Sequence, residues 1–254
     1  MSGPGIFLAR LAPGAVLAAS LFCALPAPAG AGPPFFTDDP EPVAYGRWEF
    51  YLASQYLKSK DGRSGTAPHA EVNYGAAPEL QLHLIAPAAF AHPAGGRLAR
   101  GYGDTELGAK YRFLRETARR PQAGVFAQVE LPTGEPHRGL GAGSTQVFLP
   151  LWLQKSWNAW TTYGGAGCWV VPGAGKKKWF YAGWLLQRDL SEHLTLGGEV
   201  FRRTPDTPGG AGSSGFNGGG QVNFAGSGHL LFAAGRDFSG PARLTAYLGL
   251  QWTP

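Results

Sequence analysis

Between Gly101 and Leu114 the chain reads GYGDTELGAKYRFL, so that Asp104, Glu106, Lys110 and Arg112 alternate with Thr105, Leu107, Ala109, Tyr111 and Phe113. In a strand, where side chains repeat every two residues, the first set points to one face and the second to the other. Two folds accept that pattern. A soluble sandwich buries the apolar face in its core, whereas a membrane barrel turns that face to lipid and gives the charged face a watery lumen. Only 15% of the residues are charged, so four on one face is a concentrated use of them.

The rest of the chain decides between the two. With turn residues as punctuation and alternation as the mark of a strand, twelve strands are predicted at about 46–57, 66–76, 79–90, 102–114, 121–131, 144–155, 159–171, 177–188, 193–203, 215–225, 229–238 and 242–252. The count is even, as in single-chain bacterial barrels. A content of 39 Gly, 15 Phe, 9 Tyr and 8 Trp against one Met suits strands and turns better than helices. The connections alternate in kind. Those at 58–65, 91–101, 132–143, 172–176, 204–214 and 239–241 are rich in Gly, Pro, Ser and charge, and all but the last are long or moderate. Those at 77–78, 115–120, 156–158, 189–192 and 226–228 are mostly tight. One long-looped rim and one short-turned rim is the asymmetry of outer-membrane barrels, and a soluble sandwich has no reason to keep it.

Aromatic residues fall at both ends of these strands. Trp48, Phe113, Trp157, Trp160 and Trp252 lie at the short-turn ends, and Tyr56, Phe90, Tyr102, Trp169, Trp179, Phe201, Phe216 and Phe238 at the loop ends, as two belts at bilayer interfaces would. Parity agrees in three distant strands. Trp48, Phe50, Leu52 and Tyr56 oppose Glu49, Tyr51, Ala53 and Gln55. Val147, Leu149, Leu151 and Leu153 oppose Gln146, Phe148, Pro150, Trp152 and Gln154. Leu244, Ala246, Leu248, Leu250 and Trp252 oppose Arg243, Thr245, Tyr247, Gly249 and Gln251. The expected fold is therefore all-β: a transmembrane antiparallel up-and-down β-barrel of about 12 strands, apolar outside and polar with a few rings inside, with no unpaired edge left to lipid.

Ahead of the barrel, Arg10 precedes an apolar run from Leu11 to Leu25, and small residues follow at Ala29, Gly30 and Ala31. That order is expected of a cleaved secretory signal over 1–31, with 32–45 an extended segment and 46–254 the barrel. Phe22 before Cys23 argues against a lipoprotein site, and cleavage leaves Cys168 as the lone thiol, without an internal disulfide. Loss of Arg10 leaves 21 basic residues against 17 acidic ones, a surface balance that points to no nucleic-acid partner. The segment PPFFTDDPEPVAYG is rich in Pro, as in an extended non-strand peptide. It is read as a periplasmic lead in preference to a lumenal hatch that would set Asp38 and Asp39 against bases. Lys176, Lys177 and Lys178 stand in a loop where they could meet lipopolysaccharide phosphates or simply be solvated.

Four segments in order, PPFFTDDPEPVAYGRWEFYLAS (33–54), GYGDTELGAKYRFL, VELPTG (129–134) and QVFLPLWLQKSW (146–157), resemble the outer-membrane barrel family whose label names the MetA-pathway of phenol degradation. The resemblance covers most of the chain after residue 32. It implies a Gram-negative outer-membrane barrel, with outer-membrane lipid, lipopolysaccharide and the barrel-assembly machinery as partners, and passage of small aromatic or other apolar compounds. It brings no catalytic residue and no cofactor. The ending QWTP departs from the aromatic ending of such barrels, since Thr253 and Pro254 follow Trp252.

No enzyme motif is present. The six His lack metal-site spacing, GAGST (141–145) is not a nucleophile elbow, and Ser144 with His137 is the one pairing near the rim that could serve a hydrolase. What remains is a wall lined for passage. The lumen charges are expected to be Glu49, Glu79, Asp104, Glu106, Lys110, Arg112 and Glu130, either a selectivity ring or a set of paired braces, with Glu79 approaching Arg112. Phe126, Phe148, Trp152, Phe180 and Trp184 are expected to form an apolar track facing the lumen, unless parity slips at Pro150 or the glycines. Two functions fit: a narrow channel or transporter for small, apolar or aromatic solutes, and a structural or adhesive barrel closed by its charges.

Overall fold

The computed structural model describes residues 34–224 and 227–254; the expected signal peptide and its cut near Ala31 lie outside the described residues. The strands are β1 (Trp48–Lys58), β2 (Gly62–Ala77), β3 (Leu80–Pro93), β4 (Ala99–Tyr102), β5 (Thr105–Leu114), β6 (Gln122–Leu131), β7 (Gln146–Trp157), β8 (Trp160–Val170), β9 (Trp179–Ser191), β10 (Leu194–Arg203), β11 (Ser213–Phe224), β12 (Gly228–Ser239) and β13 (Leu244–Trp252). Each pairs antiparallel with its neighbours, and β1 closes the ring by pairing with both β2 and β13. β4 and β5 both pair with β3 and form one stave broken at Gly103 and Asp104, so the wall is the expected closed barrel of 12 staves. Closure satisfies the backbone polar groups within the sheet, which is what a strand-built wall facing an apolar medium requires.

The parity expected for β1, β7 and β13 holds. Leu52, Leu149, Leu151, Leu248, Leu250 and Trp252 are exposed on the outside, whereas Ala53, Gln146, Phe148, Trp152, Thr245 and Tyr247 are buried inside. Leu107, Tyr111 and Phe113 of the GYGDTELGAKYRFL segment face out, and Glu106 and Lys110 are buried within. An apolar exterior around a polar interior is the inverse of a soluble domain.

The belts need one correction. Trp48, Phe113, Trp157 and Trp252 are exposed at the short-turn rim, and Tyr102, Phe216 and Phe238 at the loop rim, but Trp169, Trp179 and Phe201 are buried inside the barrel. They pair across rungs with inward residues: Trp169 lies opposite both Phe148 and Trp179. The strand ends attract aromatic residues on both faces, so position along a strand did not separate belt from lumen.

Candidate functional site

The N-terminal segment runs through the lumen, which corrects its reading as a periplasmic lead. Near the short-turn rim, Tyr45 bridges to Gly75 of β2, and the Val43 amide donates to Gln81 Oε1 at 2.9 Å. Deeper in, Asp38 is 1% exposed and accepts a hydrogen bond from Lys110 Nζ at 3.0 Å. Beyond it, Glu199 of β10 accepts the Phe36 and Thr37 amides, each at 2.8 Å, and is itself held by Asn217 Nδ2 at 2.6 Å. The Pro residues suit this role: a peptide with few N–H groups leaves few donors to satisfy once it is off the sheet and buried.

The wall from β1 to β6 is charged and amide-rich. Glu49 accepts from Tyr51 Oη and Gln251 Nε2, both at 2.6 Å. Glu106 accepts from Gln128 Nε2 at 2.8 Å and lies 3.0 Å from His83 Nε2, while the other nitrogen of His83 is 2.7 Å from Asn73. Asn73 in turn donates to Glu71 at 2.9 Å. Glu130, opposite Glu106, accepts from Gln146 at 3.1 Å. Arg112 pairs with Glu79, as expected, and donates to Gln122 at 2.8 Å. Glu79 stands in the β2–β3 turn with φ of 69° and also meets Arg115. The Arg112 hydrogen bond holds the Glu79 carboxyl below the usual carboxylate range.

One member of the expected set leaves it. Asp104 lies in the break between β4 and β5, and its carboxylate accepts the amides of Gly134 and Ala142 at 2.9 and 2.6 Å. It pins the loop between β6 and β7, whose Leu140 is buried, and does not stand in a lumenal row. Asp38, Glu71 and Glu199 join the site in its place. Glu71 and Glu199 were legible as polar positions on inward parity, whereas only the hatch reading, set second to a periplasmic lead, places Asp38 in the lumen.

The opposite wall is aromatic. Phe126, Phe148 and Trp152 face in as expected and pack with Trp169, Trp179, Tyr181 and Phe201. Phe148 stacks on Trp169 at 4.8 Å, and Trp169 on Trp179 at 5.5 Å. Gly167 makes room for this: a Cβ there would lie 2.4 Å from the Phe148 ring. Phe180 and Trp184 are corrected; at 55% and 48% exposure they face outward, and Tyr181 and Leu185 take the inward places. Pro150 is not the cause, because Val125–Leu151 and Gln128–Phe148 keep one register across it. Nor do the rings form an open track. Trp152 is 1% exposed, and the plug's Phe36 packs edge-on against Phe201 at 5.1 Å.

Alongside the plug a cavity of about 490 Å³ reaches the short-turn half of the lumen, lined among others by Asp39, Glu49, Tyr51, Asn73, Gln154 and Gln251. Among the described residues no group of three His, Cys, Asp or Glu side chains is arranged to hold a metal ion. Ser144 and His137 are not brought together: Ser144 donates to the Pro172 carbonyl, and His137 faces Glu135 at 3.5 Å. Of the lysine run, Lys176 is matched by Asp206 at 3.7 Å.

No protein-family model matches the chain, and no curated protein does. Among solved structures it is similar to the COG4313 outer membrane channel from Pseudomonas putida F1, with 16% identity over 85% of this chain and 98% of that one and a TM-score of 0.68. It is also similar to the KdgM porin, with 11% identity over 80% and 98% of the two chains and a TM-score of 0.52. At such identities the likeness speaks for the fold, a closed outer-membrane-type barrel.

Proposed function

We propose that the chain is an outer-membrane channel that passes small solutes through a lumen narrowed by its own N-terminal segment. The observation that carries this is the lumen itself: a closed barrel, apolar outside, holding a polar cavity of about 490 Å³ alongside a plug tied down by a handful of polar contacts. A purely structural barrel has no need of an internal polar cavity. The similarity to an outer membrane channel supports the same reading. The solutes are small molecules with an aromatic or otherwise apolar body, and a hydrogen-bonding group is accommodated as well, since a ring wall faces a wall of carboxylates and amides across the plug.

The plug also favours a second reading, a structural or adhesive barrel closed by Asp38 and Lys110. Single-channel conductance in planar bilayers separates the two. A channel shows ion steps that grow when residues 34–42 are deleted, and cells carrying that deletion take up phenol faster than cells with the intact chain. Absence of conductance in both forms, with no uptake defect in a deletion strain, rejects passage.

A further inference from the structure

A second feature lies on the outer face at the loop rim. Tyr56, Gly65 and Phe90 are direct neighbours across β1, β2 and β3, so they share the outward face. The Tyr56 and Phe90 rings stack at 6.3 Å. A Cβ on Gly65 would come within 3.2 Å of the Phe90 ring and 1.9 Å of the Gln55 carbonyl oxygen, so only glycine leaves that position hollow. Tyr56 and Phe90, with Ala67, Ala88 and Leu98, line an apolar dip of about 560 Å³ on the side of the wall that meets lipid.

Cations crown the dip. On the same outward rungs Lys58 is opposite Arg63, Arg63 opposite His92, and Phe90 opposite Arg100. Arg63 Nε donates to His92 Nδ1 at 3.1 Å, which fixes the guanidinium and leaves its two terminal nitrogens for another acceptor. Among the described residues none of Lys58, Arg63 and Arg100 is ion-paired to a carboxylate. The rim segments 58–63 and 94–101 carry Lys58, Lys60, Arg63, Arg97 and Arg100 against Asp61 alone. Lys176, in the other basic loop, already has Asp206.

We propose that this dip binds a phosphorylated, multiply acylated glycolipid of the outer leaflet, of lipid A chemistry, with phosphate on Arg63 and Arg100 and an acyl chain along Tyr56, Ala88 and Phe90. The guanidinium fork matches phosphate geometry, and a concave apolar face just below it accepts methylene groups that a flat wall would leave loosely packed. Several unpaired cations in a row fit a headgroup with more than one phosphate better than a lipid with one. The proposal rests on the outer-membrane reading above.

The test is native mass spectrometry of the detergent-folded chain with purified lipid A, after a heat-modifiable shift in gel mobility has shown a folded barrel. Wild type is expected to retain lipid A over phosphatidylglycerol and over dephosphorylated lipid A. Retention is expected to fall about tenfold in Arg63→Gln/Arg100→Gln and comparably in Ala88→Trp, which fills the dip, but to persist in Lys176→Gln/Lys177→Gln/Lys178→Gln. Equal retention by the Arg63/Arg100 variant, equal binding of phosphatidylglycerol, or equal loss in the Lys176–178 variant overturns the site. A folded barrel that binds no lipid A rejects this proposal alone, whereas a chain that never folds in detergent or bilayers rejects the outer-membrane reading with it.

Discussion

The lumen has two walls that hold one plug by different means. From β1 to β6 the plug meets charge: Asp38 on Lys110, and Glu41 near Arg112 at 3.4 Å. From β6 to β10 it meets rings and a single carboxylate: Phe36 packs on Phe201, the Arg203 guanidinium lies 4.5 Å from the Phe36 ring, and Glu199 accepts the Phe36 and Thr37 amides. Charge in a dry site is directional and costly to leave unpaired, whereas ring packing scales with area and tolerates small shifts. The charged groups, Lys110 on one wall and Glu199 at the far edge of the other, therefore fix where the plug sits, and the rings fill the space around it. On the channel reading, a plug that yields to a solute slides on rings far more readily than it abandons Lys110 or Glu199.

The largest effect is expected where that pairing is broken. Lys110→Met leaves Asp38 buried without its cation and should cost about 3–5 kcal/mol, read as a lower temperature of heat-modified gel mobility, with a larger conductance as the plug leaves. Adding Asp38→Asn should recover much of the loss; no recovery would mean that the pair does not hold the plug. Trp152→Ala on the other wall should cost about 3 kcal/mol by opening a cavity in the ring cluster, with the plug still seated and conductance little changed. A conductance as large as that of Lys110→Met would erase the distinction between the walls.

Glu199→Gln comes next, at about 2 kcal/mol, because Glu199 accepts the Phe36 and Thr37 amides on different oxygens and Gln keeps only one of them, so one buried amide loses its acceptor. Protease access to residues 34–37 in the folded barrel should rise. Arg112→Ala is expected to cost about 1 kcal/mol, since its partners are partly solvated. The Glu79 carboxyl is held low by Arg112, so this bridge contributes above the ordinary carboxylate range and is lost as pH falls through the lowered value. Arg112→Ala should flatten that acid dependence. Changed ion selectivity with unchanged stability would instead make Arg112 part of a selectivity ring.

Much of the fold was legible in the chain because most strands alternate cleanly. In β7 as far as Gln154, and throughout β13, the outward residues are apolar and the inward ones, Pro150 and Gly249 apart, are polar or aromatic. β9 does not alternate. From Trp179 to Leu186 both parities are apolar, and Arg188 at the strand end misleads, because it lies outside over the Trp160 ring at 5.2 Å. Only the register against β8, with Tyr163 opposite Leu185, turns Phe180 and Trp184 to the exterior. Asp104 was misplaced for a similar reason: alternation continues through it, but the stave breaks at Gly103 and Asp104 and frees its carboxylate for the loop.

The sequence by itself determined the closed barrel, its two unlike rims, the outward face of most strands and the meeting of Glu79 with Arg112, because each follows from period and turn chemistry within one or two neighbouring strands. The tertiary structure alone decided the path of Pro34–Val43. A proline-rich peptide with no period carries no local sign of its surroundings, and only the closed ring brings Lys110 and Glu199, 89 residues apart in the chain, to bear on it from two sides.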